Sequence, residues 1–302
     1  MVLTGCAGQV SGQTGITSVP AGPPAGALDG GRPLTWLGGR ELRASGGGFG
    51  GLSGLAWADD RLVGVGDHGI HVSLRPDHGP HGRLAGVTGA FAALTGNRSA
   101  SGLAGRIPYL GTDRGDAEAV TRGPDGGWLV AFEGDHRIVR YDAGFADHSP
   151  FPAPPTADLP GNEGLESLAR LADGRLLAIA ETGAAWVHDG AWHALAYPAG
   201  GDFRPTDATV LEDGTVLVLE RAYSPVTGPR ARVMRVTSPV EAGTTLDKTV
   251  LRTLDAPVPL DNYEGLAARP ADNGRSILYL VSDDNFNPLQ DTYLLTFRYH
   301  AP

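Results

Sequence analysis

Residues 163–181 read EGLESLARLADGRLLAIAE, and this stretch decides the fold. A first apolar segment opens at Glu163, the pair Asp173-Gly174 interrupts the pattern, and a second apolar segment ends in Glu181. Asp-Gly between two apolar runs is a strong signal for a hairpin, because both residues accept positive φ angles at low cost. The pattern therefore predicts two short antiparallel strands joined by a tight turn.

The same unit recurs along the chain. The five copies begin at Ser53, Glu118, Glu163, Asp207 and Glu264, and their second strands end at Asp67, Glu133, Glu181, Glu220 and Asp283. Two of the intervals match one four-stranded propeller blade of about 40 to 50 residues, and the other two fit a blade plus an insertion. We therefore expect an all-β fold, a β-propeller of five blades, or six if an insertion hides a degenerate blade.

Closure of the ring requires one more strand. Only enough chain for three strands follows Glu264, so the last blade is short of its outer strand. The N-terminal segment Leu34–Leu42 has strand character and is predicted to supply it. A ring closed in this way removes exposed sheet edges.

Composition limits the functions that fit. The 302 residues include 45 Gly and 23 Pro, as expected for short strands and many turns. Asp and Glu number 34 against 24 Lys and Arg, and the formal net charge is -10. Nucleic acid is excluded as an expected partner, because its binding needs a dense basic face. Divalent cations suit this balance better.

The first 32 residues are predicted to be separate from the propeller domain at 33–302. Leu3-Thr4-Gly5-Cys6 resembles a bacterial lipobox, in which the cysteine becomes the lipidated N-terminus. The stretch up to Arg32 is rich in Gly, Ser, Thr, Gln and Pro, which is typical of a flexible tether. We therefore expect an extracytoplasmic protein, either secreted or held in the cell envelope, whose only membrane attachment is a lipid anchor at Cys6.

Equivalent positions on the first strands of a propeller form a ring around its axis. Four carboxylates directed into one channel repel each other and are costly to bury unpaired. Ca²⁺ takes six to eight oxygen ligands in irregular geometry and would relieve this repulsion. The predicted ligands are Ser53, Glu118, Glu163, Asp207 and Glu264, with Asp283 added from the oxygen-rich turn at 282–287. The alternative is that these acids form ordinary salt bridges with arginines.

Three further side chains could take part in chemistry at such a ring. Arg221 and Arg137 follow strand-end acids, and a guanidinium can bind an anionic group through two hydrogen bonds. Glu166 is a spare carboxylate that could act as a base. For both arginines the alternative is a salt bridge that balances the acids.

Several short strings together resemble one family. They are GGLSGL at 50–55, DAEAV at 116–120, NEGLE at 162–166, LER at 219–221, NYEGL at 262–266 and VSDDNF at 281–286. In this order they resemble the bacterial family named for the esterase-like activity of phytase, from about Leu34 to the C-terminus. Ala119 departs from the glycine that often follows the glutamate in that family. The resemblance implies a secreted or lipid-anchored propeller with phosphate-ester hydrolysis as its named activity.

Two functions of different classes follow from these observations. The first is a Ca²⁺-dependent hydrolase of phosphate esters with a small-molecule substrate. The second is a lipoprotein without catalytic activity that binds a protein or glycan and uses the ion only to join its blades. A metal-dependent lactonase or carboxylesterase is a third, narrower hypothesis, and fold alone does not separate the three.

Overall fold

The repeated hairpins are the inner strands of four-stranded blades. The computed structural model describes residues 14–26, 28, 33–45, 47–95, 115–161 and 163–300. Blade 1 contains β3 (Leu52–Ala58), β4 (Arg61–Gly66), β5 (Ile70–His78) and β6 (Leu84–Ala93). Blade 2 contains β7 (Ala117–Arg122), β8 (Trp128–Phe132), β9 (Ile138–Tyr141) and β10 (His148–Phe151). Blade 3 contains β11 (Leu165–Arg170), β12 (Leu176–Ala180), β13 (Ala184–His188) and β14 (Trp192–Ala196).

The last two blades follow the same plan. Blade 4 contains β15 (Arg204–Val210), β16 (Val216–Ser224), β17 (Gly228–Val236) and β18 (Lys248–Thr253). Blade 5 contains β19 (Asn262–Ala271), β20 (Arg275–Asp283), β21 (Tyr293–Tyr299) and the N-terminal strand β2 (Leu34–Ala44). Two short 3₁₀ turns, Pro80–Gly82 and Asp272–Gly274, are the helical segments of the described residues, and none of these could cross a membrane.

The second strands of the blades are buried because each lies between two neighbouring blades. All five residues of β8 and all five of β12 are buried, which explains their unbroken apolar sequence. Gly174 in the turn between β11 and β12 has a φ of +91°, so the predicted Asp-Gly turn is present there.

The first strands form a closed circle. β3 packs against β7, β7 against β11, β11 against β15, β15 against β19, and β19 again against β3. The fold is therefore an all-β propeller, as predicted. The described residues form five four-stranded blades, which is compatible with the expected count.

Ring closure uses two N-terminal strands rather than one. β2 pairs with β21, which agrees with the strand predicted at Leu34–Leu42. In addition, β1 (Thr14–Ala21) pairs with β2 on one side and with β6 on the other. Blades 5 and 1 thus share one nine-stranded sheet.

The prediction that residues 1–32 form a flexible tether is wrong for Thr14–Ala21, which form strand β1. Ile16 is only 2% exposed, because the strand lies between two others and its apolar side chain enters the core. The folded domain therefore begins by Thr14 and not at residue 33. Cys6 and the lipobox-like string lie outside the described residues.

Candidate active site

A β-bulge interrupts the first hairpin of every blade at the same place. In each case one residue of the first strand has no partner on the second strand, as where Leu52 pairs with Gly66 and Gly54 with Val65. The five unpaired residues, called here the bulge ring, are Ser53, Glu118, Glu166, Thr206 and Glu264. All five are buried, and bulges commonly redirect a side chain toward a functional site.

A second set of side chains lies beside the bulge ring. In each blade, the first-strand residue just before the bulge pairs with a residue of the second strand, and the next residue along the second strand belongs to this set. This second tier consists of Asp67, Glu133, Glu181, Arg221 and Asp283. Because the strands are antiparallel, both sets lie where first strands begin and second strands end. We call this the acidic end of the ring.

The carboxyl groups of the two sets influence one another. Burial, together with the charge of Glu264, raises the pKa of Asp67 to about 7 and that of Asp283 to about 8. Burial also raises the pKa of Glu133 to about 7, with a further contribution from Asp116. Seven carboxyl groups thus share one site with Arg221, the single cation among the ten positions. Such a site favours protons or metal cations.

Three carboxylates are close enough to share one ion. Asp67, Asp116 and Glu118 each offer an oxygen, and these oxygens lie within 4.8 Å of one another. Asp116 precedes the bulge residue Glu118 by two positions, and no repeat in the sequence distinguishes it. Carboxylate oxygens at this spacing match the donor preference of Ca²⁺.

Two acids of the bulge ring lack hydrogen bonds. Within the part of the chain that the structure describes, neither the Glu118 nor the Glu166 carboxyl group has a hydrogen-bond partner. Burial raises the pKa of Glu118 well above its ordinary value, with further contributions from Glu166 and Asp116. Burial has the same effect on Glu166, where Glu264 adds to it. Buried polar groups are normally paired, so these two carboxyls are suited to a ligand.

Ser53, Asp67, Glu264 and Asp283 are held by hydrogen bonds. The Ser53 hydroxyl donates to Oδ1 of Asp67 at 2.7 Å. The Asn262 amide donates to Oε1 of Glu264 at 2.9 Å and to Oδ2 of Asp283 at 3.2 Å. Asp283 also accepts the backbone N–H of Asn285 at 2.6 Å. Asn262 was not predicted, although it directly precedes Tyr263-Glu264 in the family-like string.

Arg221 places a positive charge at the edge of the site. Its Nε lies 2.9 Å from Oε1 of Glu264, close enough for an ion pair, although the N–H is not aligned for a hydrogen bond. Burial opposes the charged form, but Glu264 and Glu166 outweigh it and raise the pKa of Arg221. Its side chain is 31% exposed, so an anionic group could reach it from solvent.

The Asp207 carboxylate accepts backbone hydrogen bonds, an arrangement that does not match the metal-ligand role expected from the sequence. Its Oδ2 accepts the backbone N–H groups of Leu266 at 2.7 Å and Leu55 at 3.1 Å, and its Oδ1 accepts that of Ala208 at 2.8 Å. Burial raises its pKa, and these three amides act in the opposite direction. Thr206 takes the bulge position of blade 4, and Asp207 joins strands β15, β3 and β19 instead.

Glu163 is also displaced from its predicted position. It lies in the loop before β11, where its backbone N–H donates to the carbonyl of Pro160. Glu166, predicted as a base, takes the ring position because Leu165 pairs with Ala180 and Ser167 with Ile179. Of the predicted ligands, Ser53, Glu118, Glu264 and Asp283 do lie in the site.

Glu220 and Arg137 each pair with other charged side chains. Glu220 accepts hydrogen bonds from Tyr197 at 2.7 Å and Arg232 at 2.6 Å and pairs with Lys248, on the side of β16 opposite to Arg221. Burial tends to raise the pKa of Glu220, but these partners hold it below its usual range. Arg137 pairs with Asp135 at 2.5 Å and lies over the Phe132 ring, so Arg221 is the guanidinium that we assign to the site.

Comparison with known proteins agrees with the resemblance noted in the sequence. The sequence model of the family described as "Phytase-like: Esterase-like activity of phytase" matches residues 47–286. No curated protein sequence matches the chain.

Several solved structures match most of the chain at low sequence identity. The β-propeller domain of Cps50 (Swd1) from Myceliophteria thermophila is 10% identical, with a TM-score of 0.45 over 93% of this chain and 97% of that one. A putative gluconolactonase is 12% identical, with a TM-score of 0.45 over 89% and 82% of the two chains. The allergen Mala s 1 from Malassezia sympodialis is 15% identical, with a TM-score of 0.45 over 87% and 88%.

Proposed function

The chain belongs to the phytase-like family, described by the esterase-like activity of phytase, and we propose that it is a Ca²⁺-dependent hydrolase of phosphate esters. The family description names a hydrolase-type activity. The finer assignment depends on one observation, which is that seven carboxyl groups and one arginine converge at a single end of the ring.

Asp67, Asp116 and Glu118 are the residues proposed to hold the cation. Their oxygens lie within 4.8 Å of one another, and the Glu118 carboxyl has no hydrogen bond within the described chain that would compete. When bound, Ca²⁺ would neutralise the phosphate charge and polarise its P–O bonds. This donor set fits a hard cation and offers no sulfur or imidazole for a softer one.

Arg221 is proposed to bind the anionic substrate. A phosphate ester presents oxygens that a guanidinium recognises strongly, and Arg221 is partly open to solvent on the acidic end. Without this arginine, the second tier would repel any anion from every side. The pairing with Glu264 keeps the guanidinium in place until an anionic group competes for it.

Glu166 is proposed to move a proton during the reaction. Burial and the neighbouring charge of Glu264 raise its pKa, which favours the protonated form of the carboxyl group. This favours donation to the leaving oxygen of the ester, in contrast to the role of a base expected from the sequence. The carboxyl group has no hydrogen bond within the described chain that would hold the proton away.

Asp207 argues against the hypothesis of an ion that only joins the blades. This residue already connects three first strands near the axis through backbone hydrogen bonds. An ion held by half-buried Asp67 and Asp116 and by buried Glu118 would lie instead at one end of the ring, as expected for a site that a substrate can reach. The lipobox-like string at Cys6 supports an extracytoplasmic location.

Hydrolysis of p-nitrophenyl phosphate and p-nitrophenyl acetate tests this proposal. We expect the phosphate ester to be hydrolysed with Ca²⁺, and the activity to be lost with EDTA and restored by excess Ca²⁺. Glu118→Gln and Glu166→Gln should each lower the rate at least tenfold. Glu212→Gln is the matched control, because Glu212 is exposed in the turn between β15 and β16, at the opposite end of the ring.

The outcome separates the competing functions. Hydrolysis of the acetate alone would favour a carboxylesterase or lactonase. No turnover of either ester, or full activity of both variants, would contradict the proposal. Arg221→Gln offers a finer comparison, because it should raise KM for the anionic phosphate and leave KM for the neutral acetate nearly unchanged.

A further inference from the structure

Two of the family-like strings meet beside the proposed cation ligands. GGLSGL at 50–55 leads into β3, and VSDDNF at 281–286 contains the end of β20 and the start of the loop that follows it. The Asp284 carboxylate accepts the backbone N–H of Gly51 at 3.0 Å, which joins this loop of blade 5 to blade 1. The second string ends in Phe286, an apolar side chain at an otherwise acidic place.

Gly51 allows the Phe286 ring to approach the site closely. A Cβ atom at Gly51 would lie 2.5 Å from Cε2 of Phe286 and 3.2 Å from Oδ2 of Asp67. Gly51 also has a φ of +59°, and glycine is the residue that accepts both conditions at low cost. The Phe286 ring and the Asp67 carboxylate are therefore both next to Gly51, so the ring lies beside a proposed ligand of the cation.

The loop holds Phe286 in a defined position. The backbone N–H of Phe286 donates to Oδ1 of Asp284 at 3.0 Å, and that of Asn285 donates to Oδ1 of Asp283 at 2.6 Å. Asn285 and Phe286 have φ angles of +49° and +48°, a left-handed conformation that an aromatic residue rarely adopts. Backbone strain of this kind is concentrated at sites that bind ligands, so the position of the ring favours a role in binding.

The Phe286 ring stacks on His68. Their ring centroids are 3.7 Å apart and their planes differ by 11°. His68 directly follows Asp67, so the stacked pair is fixed next to that carboxylate. Phe286 nevertheless remains 39% exposed, and a ligand can reach it from solvent. A fixed and partly exposed aromatic ring offers a flat apolar surface to a planar group.

The charge around Phe286 limits the number of anionic groups that a ligand can carry. Asp283 and Asp284 precede Phe286 in the loop, Asp67 lies next to Gly51, and the chain has a net charge of -10. In the proposed function, a bound cation and Arg221 receive one phosphate group. A second phosphate near Phe286 would face the acids of the loop instead.

We propose that Phe286 determines substrate specificity, and that the substrate is a phosphate monoester of an aromatic alcohol with a single phosphate group. This inference rests on the proposed function, because the cation at Asp67, Asp116 and Glu118 places the phosphate. The aromatic part of the ester then stacks on or against the Phe286 ring beside the cation. A small alkyl ester of the same charge lacks this contact.

Calorimetric titration in Ca²⁺ measures this contact without hydrolysis. Phenylphosphonate and methylphosphonate carry the same charged group on an aromatic ring and on a methyl group. We expect the full chain to bind phenylphosphonate about fivefold more tightly than methylphosphonate. Phe286→Ala should remove this preference and leave the affinity for methylphosphonate unchanged. Benzene-1,4-diphosphonate carries a second anionic group on the same ring and should bind more weakly than phenylphosphonate.

Two further variants serve as controls. Phe286→Tyr keeps an aromatic ring and should keep the preference for phenylphosphonate. Leu289→Ala is the matched control, because Leu289 is a large apolar residue in the same loop and is 90% exposed. It should bind both phosphonates as the wild type does. Unfolding midpoints establish that each variant is folded.

Three results would overturn the inference. They are equal affinity of the wild type for the two monophosphonates, benzene-1,4-diphosphonate binding as tightly as phenylphosphonate, and an unchanged phenyl preference in Phe286→Ala. The last result, with a lowered Tm, would assign Phe286 only to the packing of blade 5 against blade 1.

Ester hydrolysis distinguishes failure of this inference from failure of the proposed function. If the proposed function holds, Phe286→Ala should raise KM for p-nitrophenyl phosphate about fivefold and leave KM for glycerol 1-phosphate nearly unchanged. Hydrolysis of both esters with no such difference would overturn the aromatic specificity and leave the hydrolase standing. A phenyl preference that depends on Phe286, without turnover of either ester, would support the binding role and contradict the hydrolase.

Discussion

Replacement of Asp207 by asparagine should destabilise the ring in the absence of any metal. The Asp207 carboxylate is fully buried and accepts three backbone N–H groups, two through Oδ2 and one through Oδ1. Asparagine has one carbonyl oxygen, and its NH₂ group must face an N–H donor wherever that oxygen points. At least one buried amide therefore loses its acceptor.

The expected size of the effect comes from these contacts. A hydrogen bond to a charged acceptor contributes about 1.5–3 kcal/mol, and an unsatisfied buried donor costs about 1–3 kcal/mol. We therefore expect Asp207→Asn to lower the free energy of unfolding by about 2–4 kcal/mol. For a protein of this length that is roughly a 3–6 °C fall in Tm. Asp207→Ala removes both acceptor oxygens, leaves all three N–H groups without them, and should lower the stability further.

Urea unfolding in EDTA measures this effect without a metal contribution. Asp202→Asn is the matched control, because Asp202 lies just before β15 in blade 4 with an 83% exposed side chain. It should change the stability by less than about 0.5 kcal/mol. If Asp207→Asn equals the wild type in EDTA but loses stabilisation by Ca²⁺, the original expectation of a metal ligand is right and the assignment from hydrogen bonds is refuted.

Three further predictions concern the acidic site and the ring closure. In EDTA the Tm should fall by roughly 5 °C or more between pH 5 and pH 8. The pKa values of Asp67 and Asp283 in the folded protein, about 7 and 8, lie above those in the unfolded chain, so the folded form binds more protons in this range. Ca²⁺ should reduce this dependence of Tm on pH, and a Tm that rises with pH in EDTA would contradict the prediction. Glu118→Gln should reduce the rise in Tm that Ca²⁺ produces, whereas Glu163→Gln should leave that rise unchanged. If calorimetric titration instead shows weaker Ca²⁺ binding by Glu163→Gln and unchanged binding by Glu118→Gln, then Glu163 is the ligand, as expected from the sequence. Deletion of residues 1–21, which removes β1 (Thr14–Ala21), should lower Tm relative to deletion of residues 1–13, and equal midpoints would show that β2 alone closes the ring.

Much of the fold could be predicted from the sequence because its signals are local. Asp-Gly turns mark the first hairpins of blades 2, 3 and 4, apolar second strands mark all five, and their recurrence indicates blades. The strand at Leu34–Leu42 could be placed because the last blade needed a partner. β1 was missed because its residues are small or polar except for Ile16 and Val19, and the composition of its surroundings suggests a tether. Its β-branched Thr, Ile and Val residues were the available signal.

The residues that occupy the bulge positions could not be predicted, because the position of a bulge depends on how the two strands pair. In the stretch NEGLESL, Glu163 and Glu166 each stand two residues before a leucine, and Glu163-Gly164-Leu165 matches Glu264-Gly265-Leu266 letter for letter. The structure instead aligns Glu166 with Glu264, because each is the unpaired residue of its hairpin. A shift of this kind changes which side chains reach the axis.

The departure of blade 4 from the pattern gives the site its polarity. The two equivalent positions hold a carboxyl group or serine in the other four blades, whereas blade 4 has Thr206 and Arg221. A ring acidic on all sides could gather cations but would repel an anionic ester from every direction. With one neutral and one cationic position, an anion can approach between Arg221 and a bound cation. An ion that served only to join the blades would gain nothing from this break in the repeat. The asymmetry is therefore better explained by a substrate of opposite charge to the ion than by a structural role.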